Sequence, residues 1–258
     1  MARAALRDAS GGHLSASDVE TLRYGEDASQ VGDLRVPSSA PRPCPVAVLI
    51  HGGFWRMPWG RDLMDDLAED LTDRGTATWN IEYRRLGARG GGWPGTFDDV
   101  AAAIALLAGI AEDHALDLTR IGLVGHSAGG HLALWAAARA QPRPVAVVSL
   151  AGVVDLREAS RLRLDGDAAG ELVADPSRFG DTSPIEMLPI GVPQLIVHGD
   201  ADDRVPQSMA LRYAAAAREA GDDVDLHAPP GVDHFLLIEL RSDPWRHAAA
   251  WLQARLGS

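Results

Sequence analysis

Short apolar runs alternate along this chain with segments of helical spacing, and that alternation limits the fold more than any other feature. Val46, Ala47, Val48, Leu49 and Ile50 are apolar without interruption and stop just before Gly52-Gly53. An unbroken apolar run of this length fits a strand buried on both faces. Further strand-like stretches occupy residues 76–83, 120–125, 145–151, 194–198 and 223–227, and two candidates precede them at 19–24 and 33–37. Between the runs, residues 62–74, 97–114, 128–140, 207–220 and 244–256 carry helical patterns. Gly75 follows the first of these as a natural stop. Strands and helices in this order predict an α/β fold with a mostly parallel central sheet, helices on both faces, and chemistry at the carboxyl ends of the strands.

The chain is 258 residues long, which suits one such domain, here expected over residues 19–258 behind a loose polar arm at 1–18. Residues 155–193 break the rhythm. They are expected to form either a small cap or a long connection with a helix or two. All 24 basic residues are Arg, so Schiff-base, pyridoxal-phosphate and Walker A lysine chemistry are excluded. A formal charge of −12 disfavours nucleic acid as a partner. The lone Cys44 excludes an intrachain disulfide. The amino-terminal residues lack the apolar stretch of a secretory signal, and no run is long enough to span a bilayer, so the expected setting is cytoplasmic with no membrane partner. No His-Glu-x-x-His or clustered ligand spacing occurs, so neither a metal nor a cofactor is expected. Nothing in the sequence points to a particular oligomeric state.

Chemistry is concentrated just after four of the strands. Gly125-His126-Ser127-Ala128-Gly129 lies between a strand and a helix, which is the setting a nucleophile elbow requires. A serine there must occupy a sharp, strained turn, with glycines two before and two after so that strand and helix can approach. His51-Gly52-Gly53-Phe54-Trp55 follows the run at 46–50. Its glycines allow amides to turn inward, so the N–H groups of Gly53, Phe54 and Ala128 are the expected oxyanion donors, with His51 bracing the loop. Three aspartates follow the strand at 194–198. Asp202, three residues before Val205, is the expected acid, Asp203 is the alternative, and Asp200 is expected to cap the turn. His234, after the final strand, completes the order Ser, Asp, His. Trp55, Trp59 and Trp93 sit in loops near strand ends and are candidates for a substrate pocket, whereas Phe235 is expected to pack.

Together these four motifs resemble the α/β-hydrolase superfamily, in particular serine esterases and lipases with a His-Gly-Gly-x-Trp oxyanion loop. The resemblance extends from about Tyr24 to Leu256. Phe54 replaces the third glycine of the hormone-sensitive-lipase pattern, and the His-Gly-Gly-aromatic-Trp form is similar to that of animal arylformamidases. The resemblance implies a Ser127-His234-Asp202 triad and a small-molecule ester substrate, with an N-formyl aryl amide as the alternative. A hydrolase-fold protein that only binds its ligand would be expected to lack a triad member.

Overall fold

A computed structural model of the protein describes residues 19–257, so the expected arm at 1–18 lies outside the described residues. Among the described residues, eight strands form one sheet: β1 (Val19–Arg23), β2 (Val31–Arg35), β3 (Cys44–Ile50), β4 (Ala77–Ile81), β5 (Leu116–His126), β6 (Ala146–Leu150), β7 (Gln194–Val197) and β8 (Val224–His227). Their spatial order is β1-β2-β4-β3-β5-β6-β7-β8. The β1–β2 and β2–β4 pairs are antiparallel and every later pair is parallel. Each strand expected from the sequence is present, with ends shifted by a few residues. β5 is longer than its apolar stretch because its first residues continue out to Leu116, which pairs with Cys44.

The helices are α1 (Asp65–Asp73), α2 (Gly95–His114), α3 (Ala128–Arg139), α4 (Leu156–Arg161), α5 (Ala168–Val173), α6 (Phe179–Thr182), α7 (Gln207–Glu219) and α8 (Asp243–Leu256). The helix expected over residues 62–74 begins instead as a 3-10 turn, Arg61–Met64, and becomes α-helical only from Asp65. Alternation along β3 explains why the sheet needs cover on both sides. Val46, Val48 and Ile50 enter one core with Phe97, Ile104, Leu132 and Met209, from α2, α3 and α7. Ala47 and Leu49 enter the other with Leu67, Leu71, Trp245 and Leu252, from α1 and α8. All seven β3 residues are buried, as a strand with no polar face must be.

Residues 155–193 carry α4, α5 and α6 joined by 3-10 turns. Leu156, Ala159, Ala168, Leu172 and Phe179 from this segment are buried in the same core as α2 and α3. The segment therefore packs on the main body through a continuous apolar surface, while its turn near Asp165 reaches the edge of the cleft described below.

Strand order also places the chemistry. The chain crosses from β3 outward to β4, then returns past β3 to β5, so the order reverses between β3 and β5. Loops leaving the carboxyl ends of neighbouring strands on the two sides of such a reversal flank a crevice. Ile50 is in register with Gly125, so the loop beginning at His51 and the turn at Ser127 emerge side by side.

Candidate active site

Ser127 occupies the turn between β5 and α3 with φ 54° and ψ −118°. That region strains any residue with a Cβ, by about 1–3 kcal/mol. The surroundings hold it there: Ser127 N–H donates to the Leu150 carbonyl at 2.8 Å, and the Ser127 carbonyl accepts from His131 N–H at 3.1 Å. A Cβ at Gly125 would overlap the Gly129 carbonyl, and one at Gly129 would overlap the Ile50 carbonyl. Both positions therefore exclude any larger residue. No hydrogen bond to the Ser127 hydroxyl is present among the described residues, and Ser127 lines a cleft of about 270 Å³ together with His234.

His234 stands in the loop after β8. Asp233 fixes the loop by accepting from the amides of Phe235 and Leu236, at 3.0 and 2.8 Å. His234 Nδ1 donates to Asp202 Oδ2 at 2.7 Å, which leaves Nε2 as the nitrogen available for proton transfer. The Asp202 side chain is fully buried. Its other oxygen accepts from the amides of Arg204 and Val205, at 2.8 and 2.9 Å. Asp203 is turned to solvent beside Arg204, so the structure brings Asp202, and not its neighbour, to the imidazole. Asp200 accepts from the Gly231 amide at 2.6 Å and ties the two loops together.

Sequence reasoning missed a second imidazole on this carboxylate. Buried His198 donates from Nε2 to the Val205 carbonyl at 2.8 Å, with Asp202 Oδ2 3.1 Å away. Burial alone would raise the Asp202 carboxyl. The hydrogen bonds from His198 and His234, with the Val205 amide, hold it well below the usual carboxylate range. Asp202 is therefore ionised at neutral pH. A third imidazole, His126, donates from Nε2 to the His234 carbonyl at 3.0 Å and lies 4.7 Å from the His234 ring.

The loop after β3 carries three consecutive residues in the left-handed region: Gly53 at φ 105°, Phe54 at 48° and Trp55 at 57°. Among the described residues, no turn, cap or side-chain hydrogen bond engages the amides of Gly53, Phe54 or Ala128. Ala128 opens α3, where the first N–H groups have no intrahelical acceptor. A Cβ on Gly53 would overlap that of Trp59, so this loop is closed over by its own tryptophan.

Of the three candidate pocket tryptophans, only Trp59 lines the cleft. Trp55 is fully buried, has a positive φ of 57°, and lies edge-on to the His131 ring at 5.2 Å. Trp93 packs on Phe97 at 5.0 Å just ahead of α2, and is likewise not a cleft residue. Phe235, expected only to pack, is 41% exposed at the cleft mouth with its ring 6.4 Å from that of Trp59. Arg56, Met57, Leu63, Asp165 and Arg204 also line the cleft, and no sequence motif marked them. Arg56 bridges to Asp165 at 3.1 Å and Glu171 at 2.8 Å, joining the β3 loop to the 155–193 segment.

Burial, with His234 nearby, pushes the His126 imidazole down to about 3, and burial pushes His131 down to about 4. Unfolding returns each to an ordinary value near 6.5, so below that pH the unfolded chain binds more protons than the folded one. Stability is therefore expected to fall with pH from about 6.5 toward 4, by about 1.4 kcal/mol per pH unit for each histidine. Urea unfolding midpoints measured between about pH 7.5 and 4.5 check this, and a midpoint constant over that range contradicts it.

The strand order and the strained serine after β5 define an α/β hydrolase. The chain belongs to the BD-FAE family, whose profile matches residues 33–215. It is 31% identical over 208 residues to esterase LipQ of Mycobacterium tuberculosis, covering 72% of this chain and 49% of that one. To esterase LipC of the same organism it is 29% identical, covering 88% of this chain and 62% of LipC. The chain thus spans about half to three-fifths of these two esterases. A kynurenine formamidase of Danio rerio is 24% identical over 245 residues, covering 89% of this chain and 80% of the formamidase. Among solved structures, a truncated carbohydrate esterase from gut microbiota superposes with a TM-score of 0.80 at 20% identity, covering 96% of this chain and all of the other. A bacterial heroin esterase does so at 0.76 and 22%, covering 95% and 85%.

Proposed function

We propose that the protein is a serine hydrolase that cleaves carboxylic esters of small molecules through an acyl-enzyme. The observation that carries this reading is the strained Ser127 in a cleft shared with His234, whose ring is oriented by buried Asp202. His234 Nε2 takes the hydroxyl proton as Ser127 Oγ attacks the substrate carbonyl carbon. The amides of Gly53, Phe54 and Ala128 donate to the resulting oxyanion. Collapse expels the alcohol, protonated by His234, and leaves the acyl group on Ser127. Water, deprotonated by the same imidazole, attacks the acyl carbon, and collapse releases the acid and regenerates Ser127. Asp202 remains ionised throughout and stabilises the imidazolium.

A second reading, hydrolysis of an N-formyl aryl amide, is supported by the 80% coverage of the kynurenine formamidase, against 49% for LipQ. One comparison separates the two. Turnover of a short p-nitrophenyl ester far above that of N-formylkynurenine supports the esterase, and the reverse ranking selects the formamidase. Labelling with a fluorophosphonate tests both against a protein that merely binds its ligand, since such a protein would stay unlabelled while folded.

Gly53→Ala tests the oxyanion donors. The added methyl overlaps Trp59 and must occupy φ 105°, so the loop has to move. Loss of one oxyanion donor lowers kcat by about 100- to 1,000-fold, and a fall of that order with KM little changed is expected. A variant with wild-type kcat would remove Gly53 from the hole.

A further inference from the structure

We propose that Glu82 is a positioning residue for the oxyanion loop: one buried carboxylate holds both ends of the segment from His51 to Arg61 and so sets the direction of the Gly53 and Phe54 amides. The inference rests on the hydrolase reading above. Glu82 directly follows β4 and is only 6% exposed. A carboxylate removed from water must have its oxygens hydrogen-bonded, and the partners of this one are all at the loop or next to it. Oε1 accepts from His51 Nε2 at 2.8 Å and from the Tyr83 amide at 2.9 Å. Oε2 accepts from the Arg61 amide at 3.2 Å. Arg85 stands 3.5 Å from Oε1 and donates to the Trp59 carbonyl.

His51 is where the chain leaves β3, and Trp59 and Arg61 are where it settles again ahead of α1. The first end is fixed further by Tyr83, whose ring stacks on His51 at 4.3 Å and whose hydroxyl donates to the His51 carbonyl at 2.9 Å. The second end bears directly on the donor, because the Trp59 side chain closes the space a Cβ on Gly53 would need. Gly60 allows this approach, since a Cβ there would lie 2.8 Å from Glu82 Oε2. Between the two ends, Gly53, Phe54 and Trp55 hold a run of left-handed backbone that relaxes unless its surroundings restrain it. Glu82 does not line the cleft, so it acts on the reaction through the loop and touches no substrate.

The test uses Glu82→Gln, which keeps the side-chain shape but offers a single acceptor oxygen and no charge. Active sites are counted by fluorophosphonate titration, and kcat and KM for p-nitrophenyl butyrate are expressed per titrated site. The inhibition constant of a trifluoromethyl ketone, whose adduct places an oxyanion in the same hole, is measured alongside. The expected result is a fall in kcat of about 10- to 100-fold, KM within about threefold, and ketone binding weakened in parallel with kcat. His51→Gln leaves Glu82 bonded to the Tyr83 and Arg61 amides and carries the same comparison if Glu82→Gln folds poorly. Its effect is expected to have the same sign, and the double variant is expected to be little worse than the more damaged single one. Wild-type kcat per titrated site in both variants overturns the positioning role and leaves the hydrolase standing. A wild-type protein that neither turns over substrate nor reacts with the fluorophosphonate overturns the hydrolase reading, and this inference with it.

Discussion

Ser127→Ala is expected to lower kcat on a short p-nitrophenyl ester by about 10⁵- to 10⁶-fold, with circular dichroism and melting temperature close to wild type. The size of the loss follows from what one atom does. Without Oγ there is nothing to acylate, and His234 retains a proton-transfer partner only in water. In the proposed oxyanion hole the amides of Gly53, Phe54 and Ala128 would still face a bound carbonyl, so a residual rate above that of water is expected. The fold should survive because the turn is held by the Leu150 and His131 backbone bonds, neither of which involves the hydroxyl. A variant with activity within tenfold of wild type would move the nucleophile elsewhere and dismantle the proposed mechanism.

The second large effect is expected at the acid. Asp202→Asn should lower kcat/KM by about 10⁴-fold, whereas Asp203→Asn should stay within about twofold of wild type. Asp202 receives His234, His198 and two backbone amides around a fully buried side chain. An asparagine there offers one acceptor oxygen where the carboxylate offers two. Its NH₂ must then face donors or demand the other His234 tautomer, which would take the acceptor lone pair away from Ser127. Removing the negative charge also destabilises the imidazolium that forms when His234 takes the Ser127 proton. Among the described residues, Asp203 makes only a 3.4 Å contact with exposed Arg204 and does not reach the imidazole. The reverse ranking of the two variants would shift the acid by one residue.

The features readable in the sequence are those written within a few neighbouring residues. The apolar run of β3 can only be a strand covered on both faces, and the two cores found there are that requirement met. The elbow is equally local, because Gly125 and Gly129 are demanded by carbonyl oxygens that any elbow brings close. Side-chain direction is a different matter. Trp55 and Trp59 look alike as loop aromatics, yet the first is buried in the core against His131 while the second covers Gly53 at the cleft. His198 and Glu82 carry no motif, and each becomes relevant only because a loop distant in sequence settles against it.

Strand periodicity, glycine placement and the chain order of serine, aspartate and histidine follow from the residues themselves, since sterics and alternation act over a handful of positions. Which aspartate meets the imidazole, which tryptophan sees the cleft, and what braces the donor loop were decided by tertiary packing. Those outcomes depend on where separate loops converge at the β3–β5 reversal, and a convergence across more than a hundred residues between Ser127 and His234 leaves no local trace.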